Sequence, residues 1–255
     1  MDQYKSVTEI SGEYVSIEQI ERIQNRYCWA NKYCENKDVL EVACGSGQGL
    51  GLINNSANSI TGGDVSPEVL KTALEHYEKR IPLSVFDAEK MPFEDNKFDV
   101  IIIFEAIYYL QNFSIFLNEC RRVLRQDGAI LISMPNSSLT DFNRSPYSYD
   151  YYDIEELRNI LKANNFASQF FGHLDVKNIS FKQKMFRPIK KLAAYFNIIP
   201  KTMAGKKILK RIIFGRLVKM PNEILLQDCK NCKDVDRLTG NLSNHKVIYC
   251  IARLK

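Results

Sequence analysis

Between residues 38 and 135, five short apolar runs alternate with stretches of helical spacing. The runs are DVLEVAC (38–44), SITGGD (59–64), PLSVFD (82–87), FDVIIIFE (98–105) and AILISMP (129–135). They show little internal alternation of apolar and polar residues, as expected of strands buried on both faces. SPEVLKTALEHYEKR (66–80) opens on Ser66 and Pro67, which suit the N-cap and first position of a helix. FSIFLNECRRVLR (113–125) reads as a second helix, ending near QDG. This rhythm predicts an α/β fold, a mostly parallel sheet with helices on both faces. Ligands of such sheets sit at the carboxyl ends of the strands, where the strand order reverses. That rule directs attention to residues 43–49, 64, 87 and 104–109.

The flanks extend the pattern. SIEQIERIQNRYCWANKY (16–33) places Ile17, Ile20, Ile23, Tyr27 and Ala30 on one helical face, with Ser16 as a candidate N-cap. After residue 136 comes a polar, tyrosine-rich stretch, SSLTDFNRSPYSYDYYD, read as a loop over the site. DIEELRNILKANN (153–165) is a helix, FASQFFGHLDV a strand, and NHKVIYCIARL (244–254) a last strand. The expected organisation is an N-terminal helical cap (1–36), a core (37–175), a basic helical insertion or lid (176–243) and the final core strand (244–255).

Charge is unevenly distributed. The chain has a net charge of +5, yet Lys177 to Lys219 holds 13 Lys or Arg and no Asp or Glu, so the body is acidic. Within that segment Ile189, Leu192, Ala193 and Phe196 form one apolar stripe, and Ile208, Leu209, Ile212 and Ile213 another. Basic amphipathic helices of this kind suit an anionic membrane surface. A lid with solvated charges fits the same pattern, as does phosphate binding on a nucleotide-sugar or nucleic acid. The segment carries neither a dedicated nucleic-acid fold nor an exposed aromatic platform, which argues against nucleic acid.

Seven cysteines are scattered without a dense framework, and MDQYKSVTEISGEY does not read as a signal peptide. Both observations predict a cytoplasmic home, with the basic segment a candidate for peripheral contact at the inner face of the plasma membrane. No apolar run approaches the ~20 residues of a spanning helix. DCKNCKD holds a C-x-x-C at 229 and 232, but a structural zinc site needs four ligands and no second pair of suitable spacing exists. No metal is expected; the pair reads as chance or a weak redox element.

The first strand ends in glycines: VLEVACGSGQGLGL (39–52). A strand that runs through glycines into a helix presents backbone N–H groups and the positive end of a dipole. A phosphate loop requires G-x-x-x-x-G-K-[ST], and no such lysine follows. The dinucleotide fingerprint requires G-x-G-x-x-G, whereas Gly45, Gly47 and Gly49 form G-x-G-x-G. LEVACGSGQG resembles the first motif of the class I S-adenosylmethionine-dependent methyltransferases. GGDVSPEVL, FDAEKMPFEDNKFDVI, FEAIYYLQN and ECRRVLRQDGAILISMPN resemble the later motifs in order, so the likeness covers roughly residues 12 to 172. It implies a Rossmann-like seven-stranded sheet with the last strand inserted antiparallel, S-adenosylmethionine as cofactor and S-adenosylhomocysteine as product.

The resemblance also implies roles. Glu41, Gly45 and Gly47 would hold the amino-acid end, Asp64 the ribose hydroxyls and Asp87 the adenine amine. Ala43, Ser46, Gly49, Val65, Ser66, Ala88, Phe104 and Glu105 complete the expected set, and Arg26 or Tyr14 would close over the cofactor carboxylate. Plainer readings stay open: Gly49 and Gly51 as packing glycines, Asp64 as a capping residue, Asp87 as a surface turn. Related enzymes often carry Glu-His after the fourth strand; here EAIYYL leaves Glu105 and supplies Tyr108 and Tyr109. Candidate catalytic residues are therefore Glu105, Tyr109 and His173. SGEYVS and RYCWA resemble methyltransferases of bacterial polysaccharide and glycolipid pathways, implying a saccharide hydroxyl or amine as acceptor. A lipophilic small molecule such as a quinone or natural product is the alternative acceptor, and a catalytically silent cofactor-binding protein is a third reading.

Overall fold

The computed structural model describes residue 4 and residues 8–140, 142–176, 217–240 and 243–255. A short strand, β1 (Tyr14–Ser16), leads into α1 (Ile17–Cys34). Ser16 caps α1 reciprocally: its hydroxyl accepts from the Gln19 N–H, and the Gln19 side chain accepts from the Ser16 N–H. There follow β2 (Asp38–Val42), α2 (Leu50–Asn54), β3 (Ser59–Asp64), α3 (Pro67–Tyr77), β4 (Leu83–Val85) and β5 (Phe98–Phe104). Then come α4 (Phe113–Val123), β6 (Leu124–Pro135), α5 (Ile154–Ala163), β7 (Phe166–Asp175), β8 (Leu217–Lys219), β9 (Asp236–Leu238) and β10 (His245–Leu254). Ser66 caps α3 by accepting from the Val69 N–H, with Pro67 in the first turn as its fixed φ favours.

The main sheet has the order β4-β3-β2-β5-β6-β10-β7-β9. The pairs from β4 to β6 are parallel, and β10 lies antiparallel between β6 and β7. That is the expected inverted last strand. The sheet has eight strands rather than seven because β9 adds three residues to the β7 edge. Asp-Arg-Leu has no apolar run to announce it. Among the described residues β8 pairs antiparallel with β1, with Val15 opposite Val218.

Alternate strand residues feed two cores. Val39, Val100, Ile102 and Leu131 face α1, α2 and α3. Leu40, Val42, Ile101, Ile103, Ile130 and Ile132 face α4 and α5. Both faces are buried, which explains the unbroken apolar runs; each such side chain contributes roughly 1.5–3 kcal/mol of burial. Residues 177–216, which carry most of the predicted basic helices, lie outside the described residues. Beyond them the chain forms β8, a 3-10 turn at Leu226–Asn231 and β9.

Candidate active site

The order reverses between β2 and β5: the chain runs outward to β3 and β4, then returns to place β5 on the other side of β2. At the carboxyl ends of these two strands a crevice of about 340 Å³ opens, within the ~300–1,000 Å³ typical of small-molecule sites. Ala43 after β2 and Glu105 after β5 both have φ near +52°, a left-handed conformation costly for residues with a Cβ, and both line the crevice. Strain of this sort gathers at functional sites. Gly45 and Gly47, at φ +61° and +78°, carry the loop away from β2. Tyr77 braces that loop: its hydroxyl donates to the Gly47 carbonyl at 2.7 Å and accepts from the Gly51 N–H at 3.1 Å.

The other glycines answer to protein neighbours. A Cβ at Gly49 would lie 2.0 Å from the Tyr27 ring, and one at Gly51 would lie 1.7 Å from Glu223. Close packing, the plainer reading of both, is what the structure displays. Tyr27 reaches past Gly49 and donates its hydroxyl to Glu41 Oε1 at 2.5 Å. Glu41 is buried, its Oε2 has no partner, and burial lifts its carboxyl to about 7 against the pull of Tyr27 and Arg26. Asp64 is also buried and ties two loops together, accepting from the Gly45 N–H and the Ser66 N–H at 2.9 Å each.

The structure brings Arg26, Ala43, Gly45, Asp64, Val65, Asp87, Ala88, Phe104, Glu105 and Tyr109 together around the crevice. Ser46 sits behind it, its hydroxyl accepting from the Ser11 N–H at 3.0 Å. Gly47 and Gly49 are packed inward and Ser66 is occupied as a helix cap. Tyr14 lies away from the crevice, exposed on β1. His173 is not brought to the site either. It is buried on β7, stacked on Tyr249 with ring centroids 6.0 Å apart, and burial, then Lys233 and His245, lower it to about 4. A neutral core imidazole replaces the expected base.

Arg26 lies between Glu9 at 3.6 Å and Glu105 at 3.9 Å. Glu105 Oε1 accepts from the Ser133 hydroxyl at 2.8 Å. Tyr108 and Tyr109 close the far side, and burial raises both phenols above their ordinary range, so they act as hydroxyls rather than phenolates. Tyr109 is hydrogen-bonded to Ser145 and Tyr108 stacks on Tyr151 at 4.5 Å, so the tyrosine-rich loop does cover the site. Sequence reasoning missed Thr8, Glu9, Gln48 and Ser133 as crevice residues. Gln48 donates to the Glu9 carbonyl at 2.7 Å, a lid contact across 39 residues with no motif to signal it.

Residues 40–132 match the family model described as a methyltransferase domain. Over this stretch the chain is similar to S-adenosylmethionine-dependent methyltransferases. A probable S-adenosylmethionine-dependent methyltransferase of Mycolicibacterium smegmatis is 31% identical over 137 residues, covering 52% of this chain and 53% of that protein. Phthiotriol/phenolphthiotriol dimycocerosates methyltransferase 1 of Mycobacterium ulcerans is 39% identical over 100 residues, covering 37% and 36%. The chain spans about half the length, or less, of these curated relatives. The crystal structure of an S-adenosylmethionine-dependent methyltransferase from Archaeoglobus fulgidus superposes with a TM-score of 0.59 at 19% identity, covering 99% of this chain and 100% of that one, which establishes a shared fold.

S-adenosylmethionine is the cofactor that these similarities imply, and the residues present fit it. Beside the crevice, Glu41 Oε2 is a buried acidic oxygen without a hydrogen-bond partner among the described residues, the kind of group an α-ammonium satisfies. The Gly45 side of the loop is open: among the described residues only the Thr8 methyl would lie within 4 Å of a Cβ there. Among the described residues no lysine lines the crevice, in keeping with a ligand that bears no phosphate.

Proposed function

We propose that the protein transfers a methyl group from S-adenosylmethionine to a saccharide hydroxyl, on a sugar or a glycolipid or polysaccharide precursor. The observation that carries the reading is one crevice lined by Ala43, Gly45 and Asp64 at the ends of β2 and β3 and by Glu105, Tyr108, Tyr109 and Ser145 beyond β5, with Glu41 buried against Tyr27 of its wall. Of the donor, Glu41 takes the ammonium, Asp64 the ribose hydroxyls, and Asp87 and Ala88 the adenine edge. Phe86 and Leu110 supply apolar walls. When bound, the cofactor supplies an electrophilic methyl on a sulfonium whose departure needs no protonation.

The protein's own contribution is placement and proton removal. Holding nucleophile and methyl in line can remove up to about 7–11 kcal/mol from such a barrier. Glu105 is the carboxylate available to take the hydroxyl proton; Ser133 and Arg26 hold it in place. Aromatic faces and hydroxyl groups side by side suit a polyol, which offers both C–H faces and hydroxyls. The test is incubation with methyl-labelled donor and a bacterial envelope extract, then analysis of the product. Label in a glycoconjugate is expected; donor binding without label in any sugar-containing fraction would remove the saccharide assignment. A second reading has its own support: the Mycobacterium ulcerans relative is named for a lipid acceptor, so label in a sugar-free lipid would favour a lipophilic hydroxyl.

A further inference from the structure

Three cysteine sulfurs converge where the sequence suggested only an isolated pair. Cys28 lies on α1, while Cys229 and Cys232 belong to the turn at 226–232. Cys28 and Cys229 are joined as a disulfide across 201 residues. The Cys232 sulfur lies with them, all three within 4.8 Å of one another. Cys232 donates its N–H to the Cys229 carbonyl at 3.1 Å and its thiol to the Asp228 carbonyl at 3.7 Å. A free thiol beside a disulfide has the arrangement that exchange requires.

We propose that Cys28, Cys229 and Cys232 form a thiol–disulfide exchange site, in which the bond at Cys229 moves between Cys28 and Cys232 and so fastens or releases α1 beside the crevice. The step balances without a co-reactant. Cys232, as thiolate, attacks the Cys229 sulfur; the Cys229–Cys232 bond forms as the Cys28–Cys229 bond breaks. Cys28 leaves as thiolate and takes up the proton that Cys232 released. One disulfide is present before and after.

The position of Cys28 gives the exchange a consequence. Arg26 and Tyr27, immediately before it, line the crevice, Arg26 paired with Glu105 there and Tyr27 bonded to the buried Glu41. With the bond on Cys28, α1 is covalently tied to the turn. With the bond on Cys232, packing and the hydrogen bond from Asn25 to the Lys233 carbonyl, 2.7 Å, hold it instead. Burial, then Asp228, holds the Cys232 thiol above its ordinary range, so exchange is slow near neutrality and quickens in alkali.

The second readout below rests on the donor-site reading; the first does not. The full chain is equilibrated in neutral and in alkaline buffer, quenched in acid, alkylated and mapped by non-reducing peptide mass spectrometry. The expected result is Cys28–Cys229 at neutrality, with Cys229–Cys232 appearing in alkali, and Cys28–Cys229 alone at both pH values in Cys232→Ser. Calorimetry then compares Cys28→Ser, confined to Cys229–Cys232, with Cys232→Ser. The first should bind S-adenosylmethionine at least about fivefold more weakly, the lower end of ordinary site coupling. Wild type showing only Cys28–Cys229 at both pH values, or equal affinity of the two variants, would overturn the proposal. So would reduced protein that keeps stoichiometric zinc and resists alkylation at the three cysteines, the mark of a metal site. If no form binds the donor, the donor-site reading falls and the connectivity map still decides the exchange.

Discussion

Glu41, proposed to take the donor's ammonium, is a residue whose burial costs the fold. Its carboxyl keeps a proton to about 7 in the folded chain, against an ordinary 4.5. Between those values the unfolded chain sheds its proton first, so stability falls as pH rises across that window. At about 1.4 kcal/mol per unit the loss reaches roughly 3 kcal/mol. Glu41→Gln should flatten this part of a urea-denaturation profile while weakening donor binding about tenfold or more, the worth of a charged hydrogen bond. A parent protein whose stability does not fall across this range would contradict the assignment. The acidic position itself was legible, because it precedes the glycines at a fixed spacing. Its protonation was not, because that depends on how deeply the folded chain buries it, against the lowering pull of Tyr27 and Arg26 from α1. His173 failed as a base for a similar reason: only the sheet register reveals that it stacks on Tyr249.

At the scale of elements, the central strands and helices were read to within a few residues, since apolar runs and caps are local signals. The elements that were missed are short and paired over long distances. β1 and β8 have three residues each and meet across some two hundred positions of chain. The glycine loop shows a further limit. Its sequence left open whether ligand or protein approaches Gly49, and the answer is α1, through the Tyr27 ring. Gly49→Ala should therefore cost about 1–3 kcal/mol through overpacking, measured by denaturant midpoint. A midpoint identical to the parent would mean that Tyr27 moves aside freely.

For the whole molecule, the uneven charge remains the strongest lead. Deleting 177–216 while keeping β8 should abolish sedimentation with anionic vesicles and leave donor affinity intact; equal sedimentation would end the membrane proposal. No helix among the described residues is long and apolar enough to cross a membrane. The disulfide bears on stability as well. A link closing a loop of this length constrains the unfolded chain by up to about 5 kcal/mol, so reduction should lower the thermal midpoint markedly.

Where the chain re-emerges after residue 216, it is laced to the donor loop within a few residues. Met220 exchanges backbone hydrogen bonds with Gly12 and Glu13, the Ile224 N–H donates to the Gln48 carbonyl, and Glu223 holds His76 at the end of α3 and Arg80 just beyond it. A few residues distant in sequence thus brace the donor loop from outside, so loosening 220–224 would slacken the rim of the crevice without touching any residue that lines it.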